Sequence, residues 1–166
     1  MTTEQLRHRM PPILKALKER SLRGRTPVEG LRRTECAYHG WDTVHADAAS
    51  WEPFAPGDAF GGLEAHHCFK GTVTLPEASA GKRVVCLVST GASDIWNNNN
   101  PQFLAYVDGR LVCGLDVNHN EFDLAACAVP GESHELALYV YCNTPARDVF
   151  LRVETAERDD DVTGLY

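Results

Sequence analysis

The sequence predicts a mainly β protein: an antiparallel β-sandwich of jelly-roll or galactose-binding-like form, with a short N-terminal helical arm. Three observations predict it. From residue 68 onward, seven short β-prone runs follow one another, each bounded by Gly, Pro, Asn or Asp and none interrupted by a helical period. The apolar pattern alternates as a half-buried strand requires, with Leu136, Leu138, Val140 and Cys142 on one face and Ala137, Tyr139 and Tyr141 on the other. Asp108 and Gly109 stand between two such runs and suit the positive backbone angles of a two-residue type I′ hairpin turn.

In chain order, Thr2 with Gln5 makes a capping-box start, and Leu6, Met10, Ile13, Leu14 and Leu17 recur at helical spacing. Pro11 and Pro12 interrupt that pattern, so the firmer helix is expected over residues 11–20, with any earlier turn set at an angle. Residues 20–33, polar and carrying Gly and Pro, read as a connector. Trp41 and Trp51 frame a segment without strong period, expected to pack the arm against a sheet. Strands are then expected at 68–75, 83–90, 102–107, 110–114, 121–127, 134–142 and 148–156. The charged run at 157–161, followed by Val162, Leu165 and Tyr166, reads as the start of a linker whose apolar residues pack on something downstream. The expected organisation is an arm and connector (1–33), a sandwich (34–156) and the beginning of a linker to a missing catalytic domain (157–166).

Charge is uneven. Residues 1–33 carry a net of +6 and residues 34–166 a net of −13. An acidic body repels a phosphate backbone and the basic arm has no interleaved aromatics to stack bases, which argues against nucleic acid and for an arm that docks on acidic protein surface. With no run of about 18 apolar residues and no apolar leader core, the chain reads as soluble, away from membranes and cytoplasmic. Six cysteines without CxxC spacing read as small buried hydrophobes at Cys68, Cys86, Cys113 and Cys142, beside a disulfide alternative that the even count leaves open.

The densest polar cluster is Asp116, Asn118, His119 and Asn120, after a bend that Gly114 permits. It admits three readings: part of a metal site, for which a catalytic zinc needs three convergent ligands; a ligand or partner surface at a loop edge; or a structural knot in which Asp and Asn satisfy a tight turn and His119 bonds a neighbouring strand. A second candidate is Trp96 beside Asn97 and Asn98, an aromatic face next to amides that suits a sugar, weighed against a solvated loop anchored by the indole. His66 and His67, adjacent on a strand, point to opposite faces and are poorly placed to share an ion. No pair of carboxyl groups is marked out for glycoside hydrolysis, and no GxSxG, P-loop or dinucleotide fingerprint occurs.

The stretch PQFLAYVDGRLVCGLDVNHNEFDL (residues 101–124) resembles the β-sandwich domain that precedes the catalytic barrel in family 38 α-mannosidases of the yeast vacuolar type. The likeness lies in a proline, an apolar aromatic pair, YVDG, GLD and NH before an acidic residue. Residues 56–62 and 68–76 are similar to that family's entry into its first strand, and residues 162–166 to its hand-over to a helical linker, so the resemblance spans about 41–166. Phe60 and Cys68 replace the family's usual tryptophans, and Val117 a frequent arginine. The resemblance implies a domain without catalytic residues of its own. Its partner would be a downstream catalytic domain of the same polypeptide, and that barrel would hold the zinc; the chain itself is expected to need no cofactor. Contact of Trp96, Asn97, Asn98, Asp116, Asn118 and His119 with mannosides or with the barrel is the corresponding site expectation. The resemblance also leaves room for a homo-oligomer of the parent enzyme; the competing readings are a self-standing carbohydrate-binding module and a scaffold whose helical arm mediates oligomerisation.

Overall fold

The computed structural model describes residues 3–91 and 101–164, the side chains of 3–6 and 146–148 excepted. Ten strands form two antiparallel sheets. The first sheet has the order β1-β10-β5-β8, with β1 Leu22–Pro27, β5 Arg83–Ser89, β8 Glu121–Ala125 and β10 Arg152–Arg158. The second has the order β3-β2-β4-β9-β6-β7, with β2 Leu31–Glu35, β3 Glu52–Phe54, β4 Ala59–Thr74, β6 Gln102–Val107, β7 Arg110–Leu115 and β9 Ser133–Phe150. The helices are α1 Thr3–Arg20, α2 Trp41–His45 and α3 Asp160–Thr163.

Alternation along β9 decides the layering. Leu136, Leu138, Val140 and Cys142 are wholly buried between the sheets, where Phe60, Phe69 and Phe103 of the larger sheet meet Val84, Cys86, Val88 and Val153 of the smaller. Phe54, Phe60 and Phe69 pack edge to face at 4.9–6.4 Å between ring centres, a favoured arrangement of aromatic quadrupoles. The opposite set, Ala137 and Tyr139, joins Cys68, Tyr106, Val44 and Trp51 in a second cluster on the outer face of the larger sheet. Beneath α2, the buried Lys70 ammonium donates to the Ala46 carbonyl at 2.9 Å and pairs with Glu135 at 3.1 Å, so the cation that alternation places on this face is neutralised where it sits.

The seven expected strands are present, with β4 and β9 longer than the sequence suggests. Their ladder runs from Ala59 opposite Phe150 to Thr74 opposite Ser133, with irregularities on either side of Gly62. The Asp108 and Gly109 turn has both φ values positive, +50° and +73°. Asp108 also braces the hairpin to β9: one carboxylate oxygen accepts from the Glu135 amide and the other lies 2.9 Å from His134 Nδ1.

Three expectations are corrected. Residues 20–33 are not a free connector, because β1 pairs with β10 and β2 with β3 and β4. Their period is masked by arginines that face carboxylates, Arg23 on Asp159 at 2.6 Å and Arg25 on Glu154 at 3.7 Å. Residues 157 and 158 belong to β10, and Asp159 caps α3 by accepting from the Val162 amide. Finally, α1 runs unbroken through Pro11 and Pro12. Residues 7–14 are solvent-exposed, so water can serve the carbonyls that the two missing N–H groups leave unbonded. Among the described residues no helix is long and apolar enough to cross a membrane.

Candidate functional site

One end of the larger sheet's outer face is left uncovered by α2. There β9 presents Tyr139 and Tyr141, β6 presents Gln102 and Leu104, and β7 ends at Leu115 before Asp116. The segment between β2 and α2 brings Tyr38 and His39 over the same edge, and together they enclose an open hollow of about 570 Å³. Tyr139 organises it. Its hydroxyl accepts from the His39 amide at 3.2 Å and lies 2.8 Å from His66 Nδ1, a hydrogen bond for which the hydroxyl proton is one of two possible donors. Burial pushes the Tyr139 phenol above its ordinary pKa, so that proton stays in place. The His66 ring lies 5.9 Å from Tyr139, stacked, and 5.3 Å from Tyr141, so three rings from adjacent strands form one wall. Tyr38, packed 3.8 Å from the His39 ring and edge-on to His66 at 5.7 Å, is 70% exposed and extends the wall outward.

The segment reaches this position through left-handed backbone. His39 and Gly40 have φ of +69° and +53°, and a Cβ on Gly40 would stand 2.5 Å from Tyr139 Cδ2. Only glycine lets the chain pass so close to the ring.

Asp116 stands where the hollow meets the β7–β8 turn. One of its oxygens accepts the amides of Asn118 and His119, both at 2.7 Å, and lies 3.2 Å from His119 Nδ1, while its own amide donates to the His119 carbonyl. Those amides, that of His119 foremost, hold the carboxyl below the ordinary carboxylate range. Asp116 is therefore an ionised acceptor committed to its turn. The His119 and Asn118 side chains are exposed, and His119 bonds within the turn rather than to a neighbouring strand. Trp96, Asn97 and Asn98 lie outside the described residues. Pro101 and Asp116 together line a smaller pit of about 50 Å³.

His66 and His67 point to opposite faces, as their adjacency requires. His67 sits inside against Phe60 and Phe69, with a ring nitrogen 3.2 Å from the Gly61 carbonyl, and burial depresses its pKa so that it stays neutral. Phe60 and Cys68, at positions where the resembled family has tryptophan, are buried packing residues. Trp51 is likewise buried against the sheet, whereas Trp41 is 60% exposed. Among the described residues no three His, Cys, Asp or Glu side chains converge, whereas a catalytic zinc takes three protein ligands.

Sequence reading missed the tyrosines and His39. Tyr139 and Tyr141 were legible as consecutive outward positions of an alternating strand. Tyr38 and His39 carried no signal, because what places them is a hydrogen bond to a residue 100 positions away.

No protein-family model and no curated protein matches the sequence. Solved structures do match in shape. The fold is similar to a β-glucuronidase from Ruminococcus gnavus in complex with uronic deoxynojirimycin (TM-score 0.57, 8% identity, covering 81% of this chain and 29% of that one). It is similar also to the Bacteroides uniformis β-glucuronidase (0.54, 9%, 80% and 18%) and to that of Faecalibacterium prausnitzii (0.53, 14%, 82% and 32%). A further match is a β-glucuronidase from glycoside hydrolase family 2 (0.50, 13%, 79% and 18%). This is a β-sandwich of the kind glycoside hydrolases carry. The chain spans less than a third of the length of these enzymes, and at such identities the likeness is one of fold.

Proposed function

We propose that this chain is a non-catalytic β-sandwich domain of a glycoside hydrolase, and that it supports the catalytic domain through the edge formed by the hollow and the Asp116 turn. The observation that carries this reading is the chemistry of that edge. Glycoside hydrolysis in most families requires two positioned carboxyl groups, one able to donate a proton. Among the described residues the hollow is lined by one carboxylate, Asp116, and its amide bonds keep it ionised and turn one of its oxygens into its own loop. What remains is aromatic surface with amide, phenol and imidazole groups, suited to holding a sugar or a polar protein segment. The motif at residues 101–124 supports the finer reading of a zinc-dependent α-mannosidase, in which the zinc belongs to the partner barrel.

The gene beyond the Tyr166 codon tests this first. A continuing frame that reaches a histidine-x-aspartate zinc motif is the expected result, and a stop codon overturns the α-mannosidase reading. In the full-length enzyme, the double variant Asp116→Ala/His119→Ala should lose activity and stability together; unchanged values would remove the turn from the contact. The ring wall of Tyr139, His66 and Tyr141 favours a second reading, a carbohydrate-binding module. Calorimetric titration with mannose and mannobiose addresses it, and heat that disappears in Tyr141→Ala would make the hollow a sugar site.

A further inference from the structure

Cys36 follows the last residue of β2, and its amide donates to the His66 carbonyl at 3.0 Å, extending the ladder in which Thr34 faces Cys68 and Glu35 faces His67. Cys36 and Cys68 therefore leave adjacent strands on the same outer face, on a diagonal, and their sulfurs lie 3.4 Å apart. A disulfide bond measures about 2.05 Å, so closure asks the sulfurs to approach by about 1.4 Å. We propose that Cys36 and Cys68 are a redox-active dithiol, converted to a disulfide by low-molecular-weight disulfides, and that this bond fixes the Tyr38 and His39 segment to β4 and so sets the shape of the hollow.

The two thiols are unequal in a way that assigns their roles. Cys68 is wholly buried, whereas Cys36 is half-buried and reaches the surface, so of the two an external disulfide meets Cys36. The Cys68 S–H donates to the Cys36 sulfur, which draws the Cys36 thiol below its ordinary pKa; the same contact, with burial second, pushes Cys68 up. Cys36 is thus the nucleophile and Cys68 the resolving thiol. The Cys36 thiolate attacks one sulfur of the external disulfide, forming a mixed disulfide and releasing one thiolate. Cys68 then gives up its proton to that thiolate or to solvent, its sulfur attacks the Cys36 sulfur, and a second thiolate leaves. Two protein thiols are oxidised, and one external disulfide is reduced to two thiols.

The bond has leverage on the hollow because Tyr38 and His39 follow Cys36 within three residues, and the Gly40 backbone lies directly over the Cys68 sulfur, where a Cβ would stand 3.2 Å from it. Of the remaining cysteines, Cys86 and Cys142 are fully buried and Cys113 half-buried, leaving exposed Cys127 as the competing site.

The test uses the full chain with Cys127→Ser, incubated with oxidised glutathione and read by intact mass and peptide mapping. Expected are the loss of two hydrogen atoms, a cross-linked peptide joining Cys36 to Cys68, and no lasting glutathione adduct. Cys68→Ala should hold the adduct on Cys36, and Cys36→Ser should not react; if Cys68→Ala fails to fold, the mass of the parent chain decides. A stable adduct on Cys36 in the parent chain, a bridge between other cysteines, or no reaction overturns the dithiol. Amide exchange at residues 37–40 should slow by about tenfold in the oxidised form. Unchanged exchange with the bridge formed overturns its control of the hollow.

Discussion

Glycine-to-alanine substitutions at three positions can separate the two constraints that hold the Tyr38 and His39 segment against the sheet. Gly30 has φ of +70° with nothing within 4 Å of a would-be Cβ, so alanine there meets the backbone penalty alone, about 1–2 kcal/mol for a left-handed L-residue. Gly71 has ordinary φ, but its Cβ would stand 2.8 Å from Leu31 Cδ2 in the core; alanine meets overpacking alone, about 1–3 kcal/mol. Gly40 combines φ of +53° with a Cβ at 2.5 Å from Tyr139 Cδ2, 3.1 Å from Cε2 and 3.2 Å from Cys68 Sγ. The ring cannot slide away cheaply, since its hydroxyl is engaged by His39 and His66. The cost of Gly40→Ala should therefore approach the sum of the other two, about 3 kcal/mol. Urea denaturation followed by tyrosine and tryptophan fluorescence measures all three. A Gly40→Ala cost within about 0.5 kcal/mol of Gly30→Ala would show that the segment moves freely off Tyr139, and the description of the hollow as built on that ring would be wrong.

Two further predictions concern the core and pH. Phe69 is wholly inaccessible and packs edge to face with Phe54 and Phe60, so Phe69→Ala should cost about 3–5 kcal/mol in equilibrium denaturation and Phe69→Leu, which refills most of the volume, clearly less; equal costs would mean that the refilled volume counts for nothing and that the loss lies in the ring contacts alone. His45 Nδ1 and Nε2 face the carbonyls of Trp41 at 2.8 Å and Gly109 at 3.0 Å, and both bonds can exist together only in the imidazolium, which raises the pKa, the Trp41 contact most. A raised folded-state pKa gives stability that is fully present below the ordinary value of 6.5 and is lost as pH rises through the higher folded value. The gap in denaturation midpoint between wild type and His45→Ala should accordingly narrow as pH rises above neutrality, and a gap that widens there would refute the bridge.

The sandwich was legible where one residue alternates cleanly with the next. Along β9 and the β6–β7 hairpin, period and turn chemistry agree, and the ladders follow. Legibility failed at β1 and β2 for a specific reason. These strands bury little beyond Leu22 and Leu31 and pair largely through backbone, with arginines turned toward acids on neighbouring strands, as Arg33 is toward Glu52 at 3.0 Å. A charged run of that kind has no apolar period to read, and its partner strand is over a hundred residues away in the case of β1 and β10.

The site divides along the same line. The Asp116 turn was found because an Asx turn is local: the carboxylate and the amides it binds lie within three residues. That locality also limits what it says about function, since the bonds that make the cluster conspicuous all close within the turn on one oxygen of Asp116. The hollow beside it is the reverse case. It draws on the segment after β2, on the β6–β7 hairpin and on β9, and of these the hairpin alone lies within a stretch that reads as a motif. A polar cluster visible in the chain marks where the backbone must be held. The surface left for a sugar or a catalytic domain is made by strand pairing, and the only sequence mark of its outward tyrosines, Tyr139 and Tyr141, is that they are aromatic where a solvent-facing strand needs no aromatic at all.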